Sequence, residues 1–124
     1  MKKILLTVIA LFVAGGMAFA AGHKMVDSDG LKIMMKQEKN LKIVDVREPE
    51  LFNEGHIPGA INIPYDDAEK RVLKELKKDE TIAFVCHGGP MGDELAEILI
   101  NNNYKKVYNL TGGMRKWNGT KVKN

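Results

Sequence analysis

The sequence predicts a single α/β domain with a central, mostly parallel sheet of about five strands and helices on both faces. Strand-like segments alternate with helix-like segments throughout residues 21–124, and that order gives parallel strands joined by right-handed crossovers. Residues 82–85 are continuously apolar, as in a central strand that is buried on both faces. The chain has 124 residues, of which 44% are hydrophobic and 28% charged, so it has room for one globular domain.

The first twenty residues are typical of a secretory signal peptide. Two lysines at positions 2 and 3 precede an apolar run over 4–14, and Ala18-Phe19-Ala20 places small residues where signal peptidase cleaves. We therefore expect a signal peptide over 1–20 and a mature domain over 21–124 that is periplasmic and not attached to the membrane. The alternative is an uncleaved anchor, because the uncharged stretch is barely long enough to cross a bilayer.

Charge and cysteine content limit the classes of function. The formal net charge of +3 falls to +1 after cleavage, because 17 of the 19 basic residues then remain against 16 acidic ones. A basic surface for nucleic acid is therefore not expected. Cys86 is the only cysteine in the sequence, so the chain cannot form an internal disulfide.

Four elements are predicted in the first half of the domain: a helix over 28–38, a strand over 41–46, a short helix over 49–54 and a strand over 60–63. Asp27 or Ser28 can cap the first helix. Pro49 suits the first turn of the second helix, because N–H groups in a first turn have no partner within the helix and the one that proline lacks is not needed there. β-branched and apolar residues favour the two strands.

The second half is predicted to contain a helix over 66–78, a strand over 81–85, a helix over 93–101, a strand over 107–110 and a short helix that ends near Trp117. Ala68, Val72, Leu73 and Leu76 recur at helical spacing and are expected to form the inner face of the first of these helices. Asp93 can cap the helix that follows the central strand.

The sequence places Cys86 where the central strand ends, directly before His87-Gly88-Gly89-Pro90-Met91-Gly92. Ligands of parallel sheets bind beyond the carboxyl ends of the strands. A glycine-rich loop before a helix can turn its N–H groups toward one point, which would stabilise a thiolate or a persulfide anion. This arrangement suits a persulfide carrier, a cysteine phosphatase or a redox thiol, whereas an inert buried cysteine is the simplest alternative.

Two of these chemistries lack a residue that they need. A cysteine phosphatase of this geometry places an arginine six residues after the nucleophile, and that position is Gly92 here, beside the uncharged Met91. A dithiol mechanism needs a second cysteine, which the sequence does not contain.

Four segments together resemble a known family. They are Ile43-Val44-Asp45-Val46-Arg47-Glu48, the run from Gly55-His56-Ile57-Pro58-Gly59 to Pro64, Cys86-x-x-Gly89, and Gly112-Gly113 followed by Trp117. In this order and spacing the chain resembles single-domain, exported rhodanese-like sulfurtransferases from residue 21 nearly to its end. The resemblance implies a rhodanese-like α/β fold and a sulfurtransferase in which Cys86 carries sulfane sulfur as a persulfide.

The resemblance also implies the substrates and the site. The donor would be thiosulfate or a persulfide, and the acceptor a thiol, a protein thiol or a cyanide-like molecule, with no cofactor and no metal. Cys86 would be catalytic, and the binding residues would be His87, Gly88, Gly89, Met91 and Gly92, with Arg47 as a further candidate.

The loop departs from the family pattern at Pro90, Met91 and Gly92, where many members carry a cation or a hydroxyl. We therefore expect weak binding of thiosulfate and more effective transfer from a less charged persulfide donor or a protein. The alternatives to an enzyme are a persulfide carrier that does not turn over and a protein-binding rhodanese module.

Other residues are expected to have structural roles. Arg47 is expected to form a salt bridge with Asp45, His56 to support its turn, and Trp117 to pack the C-terminal segment. Cleavage after Ala20 would leave the terminus Ala21-Gly22-His23, a pattern able to bind Cu(II) through amine, amide and imidazole nitrogens, although a disordered tail is the simpler interpretation.

Overall fold

The computed structural model describes residues 22–124, so the predicted signal peptide over 1–20 lies outside the described residues. The strands are β1 (Lys24–Val26), β2 (Leu41–Asp45), β3 (Ile61–Asn62), β4 (Thr81–Val85) and β5 (Val107–Leu110). The helices are α1 (Ser28–Gln37), α2 (Pro49–Glu54), α3 (Tyr65–Glu75), α4 (Pro90–Asn101) and a 3-10 helix (Gly113–Lys116).

All strand pairs in the sheet are parallel, and the strand order is β1-β5-β4-β2-β3. β4 is central, pairing with β2 on one side and β5 on the other, and each of its five residues is buried. The chain that leaves β4 therefore begins in the middle of the carboxyl edge, between the ends of two neighbouring strands. This geometry positions the loop that starts at Cys86.

Alternate residues of β4 enter two separate cores. Ile82 and Phe84 pack with residues of α3 and α4 on one face. Ala83 and Val85 pack on the other face with Leu31 of α1 and with residues of the C-terminal segment. Helices therefore cover both faces, and the predicted fold class is confirmed.

Some element boundaries differ from the prediction. β1 was not predicted because it has only three residues, none of them buried, and its place in the sheet comes from pairing with β5. α3 runs from Tyr65 to Glu75 and so begins and ends earlier than expected. The prediction that Leu73 faces inward is wrong, because this side chain is 41% exposed beside the buried Val72. α4 begins at Pro90 and not at Asp93, since proline is favoured in the first turn of a helix.

No helix within residues 22–124 is both long enough and apolar enough to span a membrane.

Candidate active site

Cys86 follows β4 directly and is almost completely buried, with 1% of its surface exposed. The Gly89 N–H donates a hydrogen bond to Cys86 Sγ over 2.9 Å. Gly89 makes this contact with φ at +126°, a conformation that residues with a Cβ rarely adopt. The loop thus turns one main-chain donor onto the sulfur, while the rest of the side chain packs against the core of the α3 and α4 face.

An open cavity of about 240 Å³ lies beside Cys86, lined by Cys86, His87, Gly88, Pro90, Met91 and Arg115. A water molecule occupies about 30 Å³ in the liquid, so a small inorganic anion fits this space. The predicted loop residues His87, Gly88 and Met91 line the cavity with Cys86, whereas Gly89 contacts the sulfur through its N–H.

Gly92 lies inside the first turn of α4 and does not line this cavity. A Cβ at this position would lie 2.0 Å from Asn109 Oδ1, so the glycine allows α4 to approach β5 closely. Asn109 is fully buried, and its Nδ2 donates to the Gly89 carbonyl over 2.8 Å and to Asp93 Oδ1 over 2.9 Å. These contacts fix Gly89, whose N–H contacts the sulfur.

Main-chain hydrogen bonds join the 3-10 helix to residues 86–92, the cysteine loop. Met114 N donates to the Cys86 carbonyl over 2.8 Å, and Arg115 N donates to the His87 carbonyl over 3.1 Å. The approach requires Gly113, because a Cβ there would lie 2.3 Å from the Cys86 carbonyl oxygen and because its φ is +56°. The C-terminal motif therefore forms one wall of the site.

His87 contacts Glu48 at the mouth of the site, with Nε2 2.9 Å from Glu48 Oε1. Both side chains are accessible to water, with 33% of the His87 side chain and 64% of the Glu48 side chain exposed. Hydrogen bonds from its own backbone N–H and from His87 hold the pKa of Glu48 below its ordinary value. A carboxylate therefore lies beside the loop at neutral pH.

Arg47 is buried and engaged in structural contacts. Its guanidinium donates to both carboxylate oxygens of Asp45, with Nη2 2.8 Å from Oδ2, and Nη2 also donates to the Gly55 carbonyl over 2.8 Å. The side chain does not line the cavity beside Cys86. The expected salt bridge is present and ties the end of β2 to the end of α2.

His56 and Trp117 also have structural contacts. His56 is stacked on Phe52 with 3.8 Å between ring centroids, and its Nδ1 lies 2.7 Å from the Phe52 carbonyl. Trp117 is buried in the core of the α1 face, where its indole N–H donates to the Thr120 carbonyl. These contacts agree with the structural roles expected of both residues.

A family model for the rhodanese-like domain matches residues 28–120 of the chain. The chain belongs to the rhodanese-like family. PspE of Escherichia coli, a thiosulfate sulfurtransferase, is 35% identical over 81 residues, which are 64% of this chain and 77% of PspE. The crystal structure of a rhodanese-like domain protein from Staphylococcus aureus superposes with a TM-score of 0.71 at 33% identity, covering 82% of this chain and 98% of that one.

A third relative is YrkF of Bacillus subtilis, which is provisionally named a sulfur carrier protein and is 35% identical over 94 residues. The alignment covers 76% of this rhodanese-like chain and 50% of YrkF, so the chain spans half the length of that relative. Several relatives are named thiosulfate sulfurtransferases, in agreement with the membership of this chain in the rhodanese-like family.

Two site residues were not predicted from the rhodanese-like sequence: Arg115, which lines the cavity, and Asn109, which holds Gly89. A signal for Arg115 exists in the sequence, since residues after β5 must lie at the same sheet edge as residues after β4. Asn109 carries no such signal, because a polar residue within a strand is as readily exposed as buried.

Asp93 and His23 form a contact outside the cavity. Asp93 does not cap α4 but lies in its first turn, where its Oδ1 is 2.8 Å from His23 Nε2. The copper site suggested for Ala21-Gly22-His23 stays a prediction, because Ala21 is outside the described residues.

Proposed function

We propose that this rhodanese-like protein is a sulfurtransferase that moves sulfane sulfur through a persulfide on Cys86. The observation that carries the proposal is the environment of the sulfur. Cys86 Sγ accepts a main-chain hydrogen bond from Gly89, and the residue lines a cavity large enough for a small donor. An inert core cysteine would have neither a hydrogen-bond donor from a glycine-rich loop nor an adjoining cavity.

In the first half-reaction, the Cys86 thiolate attacks the outer sulfur of thiosulfate or of a persulfide. A bond forms between Sγ and that sulfur, the sulfur–sulfur bond of the donor breaks, and sulfite or a thiolate leaves with the electron pair. In the second half-reaction, a thiolate or cyanide attacks the outer sulfur, and the electron pair of the broken bond returns to Cys86. One group is thus carried covalently between two steps.

The start of α4 favours negative charge on the sulfur that Cys86 carries. The dipole of a helix places about half a positive charge at its N-terminus, and α4 has 12 residues and begins four residues after Cys86. The N–H groups of Met91 and Gly92 lie in its first turn, where no carbonyl four residues earlier in the helix is available to them. Pro90 has no N–H, so it contributes no donor.

A persulfide carrier that does not turn over is the second candidate. The observation that favours it is the burial of Cys86, since a cysteine that is 1% exposed is poorly accessible to a free acceptor. The similarity to YrkF, which is provisionally named a sulfur carrier, is consistent with this alternative. A protein partner would then have to reach the sulfur through the cavity.

Intact-mass spectrometry tests persulfide formation. The mature protein is incubated separately with thiosulfate and with an alkyl persulfide, beside a Cys86→Ser control. We expect a gain of one sulfur atom in the natural protein and none in the variant. If neither donor adds sulfur, or if the variant gains it equally, the persulfide proposal is wrong.

Turnover separates the enzyme from the carrier. Protein loaded with sulfur is supplied with excess donor and cyanide, and the thiocyanate formed is measured over time. Many equivalents of thiocyanate per protein indicate an enzyme. No thiocyanate above the protein-free background, with protein that stays loaded until a protein thiol is added, indicates the carrier.

We also propose that the protein acts in the periplasm, which is supported by the signal-like pattern of residues 1–20. N-terminal sequencing of protein from a periplasmic extract tests this proposal. We expect a terminus at Ala21, whereas full-length chain in the membrane or the cytoplasm would contradict it.

A further inference from the structure

We propose that Arg115 binds the oxyanion end of an anionic sulfur donor while Cys86 attacks its outer sulfur. The inference rests on the proposed sulfurtransferase function and assigns a residue that determines donor specificity, since Arg115 would favour donors with an oxyanion group over donors without one. Arg115 would thereby supply the positive charge that the cysteine loop lacks at Met91 and Gly92. Three observations on the guanidinium and its attachment carry the argument.

The first observation is the position of the guanidinium. Arg115 lines the cavity that Cys86 also lines. A Cβ built on Gly88 would lie 3.2 Å from Arg115 Nη1, 3.8 Å from Cζ and 3.9 Å from Cδ, so the side chain extends across the loop at Gly88. The positive group therefore lies over the loop that follows the cysteine, although Arg115 itself belongs to the 3-10 helix.

The second observation is that the main chain of Arg115 is fixed relative to the sulfur. Arg115 N donates to the His87 carbonyl and Met114 N to the Cys86 carbonyl, over 3.1 and 2.8 Å. The base of the side chain thus cannot move independently of the nucleophile. The hydrogen bonds therefore keep the start of the Arg115 side chain beside the cysteine, and the side chain can place its guanidinium over the cavity.

The third observation concerns charge. Among residues 22–124, the ion pairs of arginine are those of Arg47 with Asp45 and of Arg71 with Glu75, and Arg115 makes none. Glu48, a carboxylate at the mouth of the site, contacts His87. Within the described part of the chain, Arg115 therefore presents to the cavity a guanidinium that has no ion-pair partner.

The chemistry of the donor matches this arrangement. A guanidinium presents paired N–H groups that fit the oxygens of a sulfonate or carboxylate. Thiosulfate carries such oxygens at one end and its reactive sulfur at the other. When the donor bond breaks, the negative charge that develops on sulfite can be stabilised by the guanidinium and by the N–H groups of the loop. A neutral alkyl persulfide offers no oxyanion, so Arg115 would contribute nothing to its reaction.

The rate of sulfur loading on Cys86 tests this role. Rates are measured by quenched intact-mass spectrometry for the natural protein, Arg115→Gln and Arg115→Lys, at constant ionic strength to hold screening fixed. The control is Lys116→Gln, which removes one exposed positive charge from the same helix but does not line the cavity. The donors are thiosulfate and 2-hydroxyethyl persulfide, which is neutral apart from its reactive group.

Loss of a hydrogen-bonded charge is expected to slow loading by thiosulfate by about 10- to 100-fold in Arg115→Gln. Loading by the hydroxyethyl persulfide should stay within about twofold, and Arg115→Lys should recover part of the thiosulfate rate, because a single ammonium cannot form the paired contact. If Arg115→Gln slowed loading by the same factor with both donors, the residue would have only a structural role and the inference would be wrong. An unchanged thiosulfate rate would overturn the inference.

A binding measurement separates this inference from the proposed function. Thiosulfate is titrated into ¹⁵N-labelled Cys86→Ser protein, with and without Arg115→Gln, and the amide shifts of Gly88 and Gly89 are followed. Saturable shifts that Arg115→Gln weakens support the inference even if no sulfur is ever transferred to Cys86. Shifts that are absent, or that are equal in the two proteins, overturn it even if Cys86 is loaded normally.

Discussion

Substitution of Gly113 by alanine tests the junction between the 3-10 helix and the cysteine loop. The new Cβ would lie 2.3 Å from the Cys86 carbonyl oxygen and 2.7 Å from the His87 carbonyl carbon. Both neighbours are backbone atoms at the end of the central strand, so the 3-10 helix has to move away. We expect this movement to break the hydrogen bonds that Met114 N and Arg115 N donate to the loop.

The cost can be estimated from these contacts. Alanine in the left-handed region costs about 1–2 kcal/mol, and each lost hydrogen bond adds about 0.5–1.5 kcal/mol. With two hydrogen bonds lost, Gly113→Ala should lower the free energy of unfolding by about 2–5 kcal/mol, a large part of the stability of a small domain. Sulfur loading of Cys86 should fall as well, because Arg115 moves with the helix.

Gly59→Ala is the matched control. Its φ is +85°, but a Cβ there would meet no atom within 4 Å, so only the backbone cost of about 1–2 kcal/mol is expected. Urea unfolding followed by the fluorescence of Trp117, the only tryptophan, gives both free energies. Equal destabilisation by the two substitutions would refute the close contact at Gly113.

Three further predictions concern the framework around the site. Asp45→Ala leaves the buried Arg47 guanidinium without its carboxylate and should cost about 3–5 kcal/mol in urea unfolding; a loss below 1 kcal/mol would contradict the buried pair. The Tyr104 hydroxyl donates to the Leu76 carbonyl, and burial raises the pKa of Tyr104. The contribution of the neutral hydroxyl to stability should therefore be complete below about pH 10 and should be lost as the pH rises through the folded-state pKa. Tyr104→Phe should reduce that alkaline loss, and an unchanged alkaline profile would contradict this. The Glu48 carboxyl should show a pKa below its ordinary value of 4.5 in an NMR titration, because its own backbone N–H and His87 donate hydrogen bonds to the carboxylate. Its stabilising contribution is then lost only as the pH falls through that lower pKa, and a midpoint at or above 4.5 would argue against these hydrogen bonds.

The fold could be predicted from the sequence because its strongest signals are local. The apolar run of β4 and the alternation of strands and helices required a parallel sheet, and the order of the family segments agreed with it. The edge strand β1 could not be predicted, since three mostly exposed residues carry no periodicity. Its position depends on pairing with β5, which is more than eighty residues away in the chain.

The nucleophile of the candidate site could be predicted from the sequence, but the residues that surround and position its loop could not. Cys86 follows a recognisable strand, whereas Asn109 and Arg115 reach the loop through contacts between distant segments. Gly92 illustrates the difference, because it was interpreted as a loop residue that binds substrate and instead lies in α4 against Asn109. A glycine is required at this position by the close packing of α4 against Asn109, which the local sequence does not reveal.

A crystal structure of the sulfur-loaded protein would test the central claim most directly. We expect anomalous density for a second sulfur bonded to Cys86 Sγ, lying in the cavity that Arg115 lines and within hydrogen-bonding distance of a loop N–H. Protein that carries the added sulfur by mass but shows it at another residue, or shows Cys86 unmodified and turned into the core, would contradict the account.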